Sequence, residues 1–299
     1  MRNAFVAIGL CVGLVPGLTG CASPFHAEGK SSFARFEQAH LFPAARYPDG
    51  DWSPAGSNFE DAWFTAEDGT ALNGWYDRHE KPTAVALFAH GNGGNMTNYA
   101  GVLRELHDRH RLSVMIFDYR GYGKSDGEPD ERGILQDTRA ARRWLAQREK
   151  IAEEDIVLIG HSLGGGVMVD LAARDGARGL VLASTFTSLP DVAAHHYWFM
   201  PVRLMMQNRL DSLEQIGEYH GPLLMVHGER DKTVPVAQGK RLFAAAHEPK
   251  QFVVNRDGHH DDPFSEEFHQ ALEAFLGTLA GVHPQSTGDR WRRTQIGDL

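Results

Sequence analysis

Cysteine is almost absent. The 299-residue chain has two, Cys11 and Cys21, both near the N-terminus. Everything after Cys21 is therefore built without disulfides and without a thiol nucleophile. No cluster of five or more Lys and Arg occurs, and the formal charge is −9, so a basic nucleic-acid footprint is missing. HExxH, paired CxxC and a phosphate-binding glycine loop are missing too, which predicts no metal, no nucleotide and no other cofactor. No apolar run reaches the roughly 20 residues of a membrane span. The longest, Ala4 to Leu18, is broken by Gly9, Gly13, Pro16 and Gly17.

What stands at the N-terminus instead is a short positive start, Met1-Arg2-Asn3, the apolar run, and Leu18-Thr19-Gly20-Cys21. That layout predicts a signal peptide over residues 1–20. Leu18 to Cys21 also resembles the lipobox of bacterial lipoproteins. The resemblance implies cleavage before Cys21, acylation of Cys21, and a lipid-anchored protein on the extracytoplasmic side of a bacterial envelope membrane. Each buried CH₂ contributes about 0.8 kcal/mol, so several acyl chains anchor a protein almost permanently. An ordinary signal peptide with a chance cysteine is the competing reading. Arg2 is the only charged residue in 1–20, so the mature chain has 29 basic against 39 acidic residues, a net −10.

Residues 21–57 carry Pro24, Pro43, Pro48 and Pro54 with little periodicity and read as a tether and irregular wrap. Phe59 to Asp77 reads as a hairpin turning at Glu67-Asp68-Gly69. Apolar runs at 84–90, 112–118, 155–160, 178–184, 222–228 and 250–255 then alternate with helical patterns at 97–109, 131–148, 163–174, 236–247 and 263–279, the last with Asp262 as N-cap. This alternation predicts an α/β fold with a mostly parallel sheet covered on both faces, over about 58–280. Residues 281–299 read as a loose tail. One interval breaks the rhythm. Residues 186–220 include His195-His196-Tyr197-Trp198-Phe199-Met200 and read either as a short helical lid or as an excursion packed on the core.

Gly-x-Ser-x-Gly occurs twice, at Gly160 to Gly164 and at Gly123 to Gly127. The chemistry needs a sharp strand-to-helix turn that lifts a serine above the sheet. Ser162 has a strand directly before it and a helix directly after; Ser125 has neither. A serine hydroxyl also needs a base to take its proton and a carboxylate to orient that base, following in the order Ser, Asp or Glu, His. Asp231 falls just past the strand ending at Gly228, with Glu229 as a weaker rival. The pair His259-His260 falls just past the last strand. Gly258 allows a tight turn facing His259 inward, which favours His259, with His260 as competitor. The developing oxyanion needs two N–H donors. Leu163 follows the nucleophile, and Asn92 lies in the glycine-rich loop His90-Gly91-Asn92-Gly93-Gly94.

Together, His90-Gly91-Asn92-Gly93, the run Phe117 to Ser125, Gly160 to Gly165, His227 to Asp231 and Gly258-His259 resemble the α/β-hydrolase superfamily. The run Phe117 to Ser125 is similar to the branch holding serine aminopeptidase-type proteins and membrane-anchored depalmitoylases. That branch often has Gly-His-Asn-Asp where this chain has Gly258-His259-His260-Asp261, which implies His259 as the base. Asp118, Arg120 and Asp126 are expected to brace their loop. The implied activity is hydrolysis of a carboxylic ester or thioester of a small or acylated substrate through an acyl-enzyme. The alternatives are an aminopeptidase-like activity, with Asp191, Asp211 or Glu214 holding the substrate amine, and a non-catalytic binding lipoprotein on the same scaffold.

Overall fold

The computed structural model describes residues 32–279. The expected signal peptide, Cys21 and the C-terminal tail lie outside the described residues. Eight strands form one sheet: β1 (Glu60–Thr65), β2 (Ala71–Asp77), β3 (Ala84–Ala89), β4 (Leu112–Phe117), β5 (Val157–His161), β6 (Gly179–Ala183), β7 (Leu223–Gly228) and β8 (Lys250–Asn255). Their order is β1-β2-β4-β3-β5-β6-β7-β8. β1 and β2 pair antiparallel, as do β2 and β4, and every other pairing is parallel.

The helices are α1 (Ser32–Leu41), α2 (Ala100–His110), α3 (Glu131–Glu149), α4 (Leu163–Asp175), α5 (Leu189–His196), α6 (Val202–Met205), α7 (Ser212–Gln215), α8 (Val236–Ala245) and α9 (Glu266–Leu279). Side chains of the central strands alternate between two apolar layers. Leu158, Leu180, Leu182 and Met225 pack with α3, α4 and α8 through Leu145, Val167 and Leu242. Val157, Ile159, Val181 and Val226 pack with α2 and α9 through Leu103, Leu106, Phe268 and Leu272. Each such fully buried side chain contributes about 1.5–3 kcal/mol. Burial on both faces explains why these strands read as unbroken apolar runs rather than alternating ones.

Two expectations shift. The wrap before β1 contains a helix, α1, and then runs along the loops at the carboxyl ends of the strands. There the Ala45 N–H bonds Gly94 O at 2.9 Å and the Tyr47 N–H bonds Gly123 O at 2.9 Å. α9 begins three residues later than expected and is capped by Ser265. The Ser265 carbonyl accepts from the His269 N–H at 3.0 Å and its Oγ from the Phe268 N–H at 3.4 Å. Asp262 does not cap it; its carboxylate instead accepts the His259 N–H.

The interval between β6 and β7 forms α5, α6 and α7, and hydrogen bonds fasten it to the rest of the fold. His196 Nε2–H donates to Thr233 O at 2.9 Å, the Glu131 N–H at the start of α3 donates to Asn208 Oδ1 at 2.9 Å, and α1 contributes Glu37. The Glu37 carboxylate accepts from the Gln207 N–H, the Asn208 N–H at 2.8 Å and Asn208 Nδ2 at 3.0 Å. Tyr197 and Met200 pack on the core, whereas Trp198 and Phe199 do not. Tyr197 and Met200 thus match the core-packed reading, and Trp198 and Phe199 depart from it.

Candidate active site

The chain runs β3 then β4 to one side, and returns to β5 on the other side of β3. Neighbouring loops therefore diverge at the carboxyl ends of β3 and β5, where open parallel sheets leave a crevice. Gly91 after β3 and Ser162 after β5 meet there; a side chain on Gly91 would lie 3.6 Å from the Ser162 Cβ.

Ser162 sits at φ 54°, ψ −115°, an unfavourable conformation for a residue with a side chain. Such strain costs roughly 1–3 kcal/mol and survives only where the surroundings impose it. Here they do. The Ser162 N–H bonds Ala183 O on β6 at 2.9 Å, and its carbonyl accepts from Thr185 Oγ1 at 3.0 Å and the Gly165 N–H at 2.9 Å. The turn is so tight that a Cβ at Gly160 would stand 2.4 Å from Gly164 O, and one at Gly164 would stand 2.0 Å from Ala89 O. The strand-to-helix elbow that the sequence places around Ser162 is therefore present.

Ser125, the rival, is buried and committed to the scaffold. Its Oγ donates to Asp118 O at 2.7 Å and accepts the Asn73 N–H at 3.0 Å. The bracing expected nearby is also present. Asp118 accepts the Met96 N–H at 2.8 Å, and Arg120 forms a fork on Asp137 and reaches Asp68 at 2.7 Å. Asp126 is exposed and ties the loop to β2 only through its backbone, its N–H bonding Ala71 O at 2.9 Å.

The position of the histidine differs from the expectation. His260, not His259, bridges the serine and the carboxylate: its Nε2 lies 2.9 Å from Ser162 Oγ and its Nδ1 lies 2.7 Å from Asp231 Oδ2. Asp231 accepts only, so Nδ1 carries the proton and Nε2 presents a lone pair to the serine hydroxyl. His259 is exposed, with Nδ1 3.3 Å from Arg230 O. The turn itself explains the exchange. The Gly258 carbonyl accepts the Arg230 N–H at 3.0 Å and lies so near β7 that a Cβ on Gly228 would stand 2.4 Å from it. Gly258 is consumed by that close approach, His259 projects outward with its N–H on Asp262, and the following residue turns inward.

Asp231 follows β7 as expected and is well held. Its Oδ1 accepts the Thr233 N–H at 2.9 Å and the Val234 N–H at 2.8 Å. Burial opposes its ionisation, but hydrogen bonds from His227 and His260 and the Val234 N–H outweigh that and hold the carboxyl well below its usual value. His227 Nε2 lies 3.3 Å from Asp231 and donates to Val234 O at 2.8 Å. Glu229 continues the turn only through its N–H, bonded to Asn255 O at 2.8 Å.

A second histidine is joined to this arrangement, and nothing in its spacing announces it. His161, the residue before the serine, is buried. Its Nε2–H donates to the carbonyl of His260 at 3.0 Å, and its Nδ1 accepts from the Tyr99 hydroxyl at 2.8 Å. The Tyr99 oxygen in turn accepts the Gly91 N–H at 3.1 Å. Burial, with repulsion from His260 second, lowers the His161 pKa to about 3, so the ring is neutral. Burial pushes Tyr99 up to about 12, which keeps its proton in place as a donor.

Asn92 is pinned by its side chain and carbonyl. Its Nδ2 donates to Leu41 O at 3.1 Å, and its carbonyl accepts the Tyr122 hydroxyl at 2.8 Å. Leu163 opens α4, where first-turn N–H groups lack an intrahelical acceptor. Two of the three carboxylates that an amine-binding lid would use are paired with arginines. Asp191 pairs with Arg203 at 2.8 Å and Asp211 with Arg209 at 2.8 Å. Glu214 lines a polar cleft of about 810 Å³ whose lining includes none of Ser162, Asp231 and His260. Among the described residues, no group of three or more His, Cys, Asp or Glu is placed to hold a metal.

A sheet of this topology with a strained serine between β5 and α4 defines an α/β hydrolase, and the chain belongs to the α/β-hydrolase-fold family. The family model described as "alpha/beta hydrolase fold" matches residues 85–213. The chain is 40% identical over 243 residues to the uncharacterized protein MT2364 of Mycobacterium tuberculosis, covering 79% of this chain and 85% of that one. It is 32% identical to the lysophosphatidylserine lipase ABHD12 of Danio rerio, over 59% of this chain and 51% of the other. Among solved structures, the Pyrococcus furiosus esterase Pf2001 superposes with a TM-score of 0.66 at 22% identity, over 80% of this chain and 99% of that one.

Proposed function

We propose that this hydrolase cleaves carboxylic esters or thioesters of acylated substrates through a Ser162–His260–Asp231 triad. The observation that carries the reading is the single imidazole bridging Ser162 Oγ and Asp231 Oδ2 at 2.9 and 2.7 Å. In the first step Ser162 Oγ attacks the acyl carbonyl while its proton passes to His260 Nε2. Asp231 holds the tautomer and stabilises the imidazolium. The Asn92 and Leu163 N–H groups stabilise the oxyanion, each such donor contributing about 3 kcal/mol to lowering the barrier. His260 then protonates the leaving alkoxide or thiolate. Water, deprotonated by the same nitrogen, attacks the acyl-enzyme, releases the acid and restores Ser162.

An acyl substrate is favoured by the lipase description of one relative and by the engagement of Asp191 and Asp211 with arginines. In the same reading, Cys21 is acylated and tethers the enzyme to an envelope membrane outside the cytoplasm, on the strength of Leu18-Thr19-Gly20-Cys21. The test is labelling with a fluorophosphonate probe together with turnover of a short ester. Native protein and His259→Ala label and turn over; Ser162→Ala and His260→Ala do neither. Labelling that persists in Ser162→Ala sinks the reading.

A further inference from the structure

Among the described residues six large apolar side chains are exposed, and four of them lie within eight residues of the insertion: Trp198, Phe199, Leu204 and Met205. Trp198 is 82% exposed, Phe199 68% and Leu204 89%. Trp198 and Phe199 pack edge to face, ring centroids 5.9 Å apart, so together they present one raised apolar tip. Concentrated exposure of this kind marks an interaction surface rather than scattered surface apolarity.

Two features say what covers it. First, the residue chemistry is that of a bilayer boundary, with Trp, Phe, Leu and Met together, and the nearby arginines are balanced, Arg203 by Asp191 and Arg209 by Asp211 at 2.8 Å each. Second, the tip lies near the chain that leads back to Cys21. α1 is clamped by Glu37 to Gln207 and Asn208, close in sequence to the tip. Ser32, the start of α1, is eleven residues beyond Cys21, a span of at most about 40 Å when fully extended.

We propose that this tip, Trp198, Phe199, Leu204 and Met205, is a bilayer-insertion surface that docks the insertion onto a lipid bilayer. His196, two residues before Trp198, bonds Thr233 in the loop that holds Asp231. Docking at the tip therefore sets the edge of the active site against the lipid surface, where acyl substrates are concentrated. That consequence rests on the acyl-hydrolase reading; the insertion itself does not.

The full-length chain is reconstituted in phosphatidylcholine–phosphatidylglycerol vesicles whose acyl chains carry bromine, and tryptophan emission is recorded against unbrominated vesicles. The brominated lipid quenches the native protein, and Trp198→Phe loses the larger part of the quenched emission. The double variant Phe199→Ser, Leu204→Ser keeps Trp198 but loses its quenching and its shift to shorter wavelength. Both variants turn over a short water-soluble ester as the native chain does, which shows that they are folded. Equal quenching in native protein and Trp198→Phe overturns the proposal. So does native self-association in lipid-free solution that the double variant abolishes, which would give the tip to a second copy. Loss of ester turnover in the native chain with Trp198 quenching intact would instead sink the hydrolase reading alone.

Discussion

The imidazole of His161 donates to the backbone carbonyl of His260 at 3.0 Å, so the residue before Ser162 holds the loop that carries His260. Through Tyr99 the same ring reaches the Gly91 N–H, and Gly91 precedes Asn92. One neutral side chain thereby ties the His260 loop and the Asn92 loop to each other beside Ser162. Tyr99→Phe removes one donor and leaves His161 Nδ1 and the Gly91 N–H unpaired. The expected result is a fall in kcat of about tenfold, the size of one buried hydrogen bond, with KM little changed. His161→Gln retains a side-chain donor and falls less than His161→Ala. Steady-state kinetics on one soluble ester checks this, and a kcat in Tyr99→Phe equal to the native value would show that the link is only structural.

The neighbouring histidines separate cleanly. His260→Ala and Asp231→Asn are each expected to lower kcat by roughly 10⁴, because the proton acceptor or its tautomer is lost. His259→Ala loses an exposed ring whose nearest polar partner is Arg230 O at 3.3 Å, and its activity stays within about twofold of native by the same logic. The two alanine variants, assayed side by side for kcat, distinguish the assignments directly. A collapse in His259→Ala with survival of His260→Ala reverses the assignment made from the geometry.

This pair also marks where sequence reading stops. The parallel sheet, the elbow at Ser162 and the carboxylate after β7 all rest on local signals: unbroken apolar runs, glycines where a Cβ would strike the backbone, and residues just past strand ends. Each is legible because the physical requirement and the residue that meets it are adjacent in the chain. The choice between His259 and His260 depends on how Gly258 packs on Gly228, thirty residues away in sequence, and no local pattern encodes that contact. His161 and Tyr99 are invisible for the same reason, being joined across 62 positions. α1 was hidden among prolines, since the contact that places Glu37 on Gln207 and Asn208 joins residues 170 and 171 positions apart.

Acid destabilises the fold through buried histidines. Burial lowers His161 to about 3 and His110 to about 4, the latter with repulsion from His269 and Arg109 as further causes. In the unfolded chain both titrate near 6.5. As pH falls below 6.5 the unfolded state takes up protons that the folded state refuses, so stability drops, by up to about 1.4 kcal/mol per pH unit for each group. For His110 the loss levels off near pH 4 and for His161 near pH 3. Stability is recovered in full above about pH 7.5. Urea unfolding midpoints between pH 4 and pH 8 check the sign: a midpoint that rises on acidification contradicts it. Replacing His110 with Gln should flatten the slope between pH 6 and pH 4.

The Glu37 clamp yields the last prediction. A buried carboxylate accepting two backbone N–H groups and the Asn208 amide is a strong local fastening, since bonds to a charged acceptor contribute about 1.5–3 kcal/mol each. Glu37→Ala leaves the Gln207 and Asn208 N–H groups without their acceptor and frees α1 from the insertion. The sheet does not depend on this contact, so the global unfolding midpoint should move little. Local opening should increase instead, appearing as faster hydrogen exchange at 207–208 and proteolytic cleavage between α5 and α7. Glu37→Gln, which keeps one acceptor oxygen, should fall between the two. Exchange at 207–208 that is unchanged in Glu37→Ala would mean that the other fastenings, among them His196 to Thr233, Asn208 and Arg209 to Glu131, and Gln215 to Asp170, hold the insertion without α1.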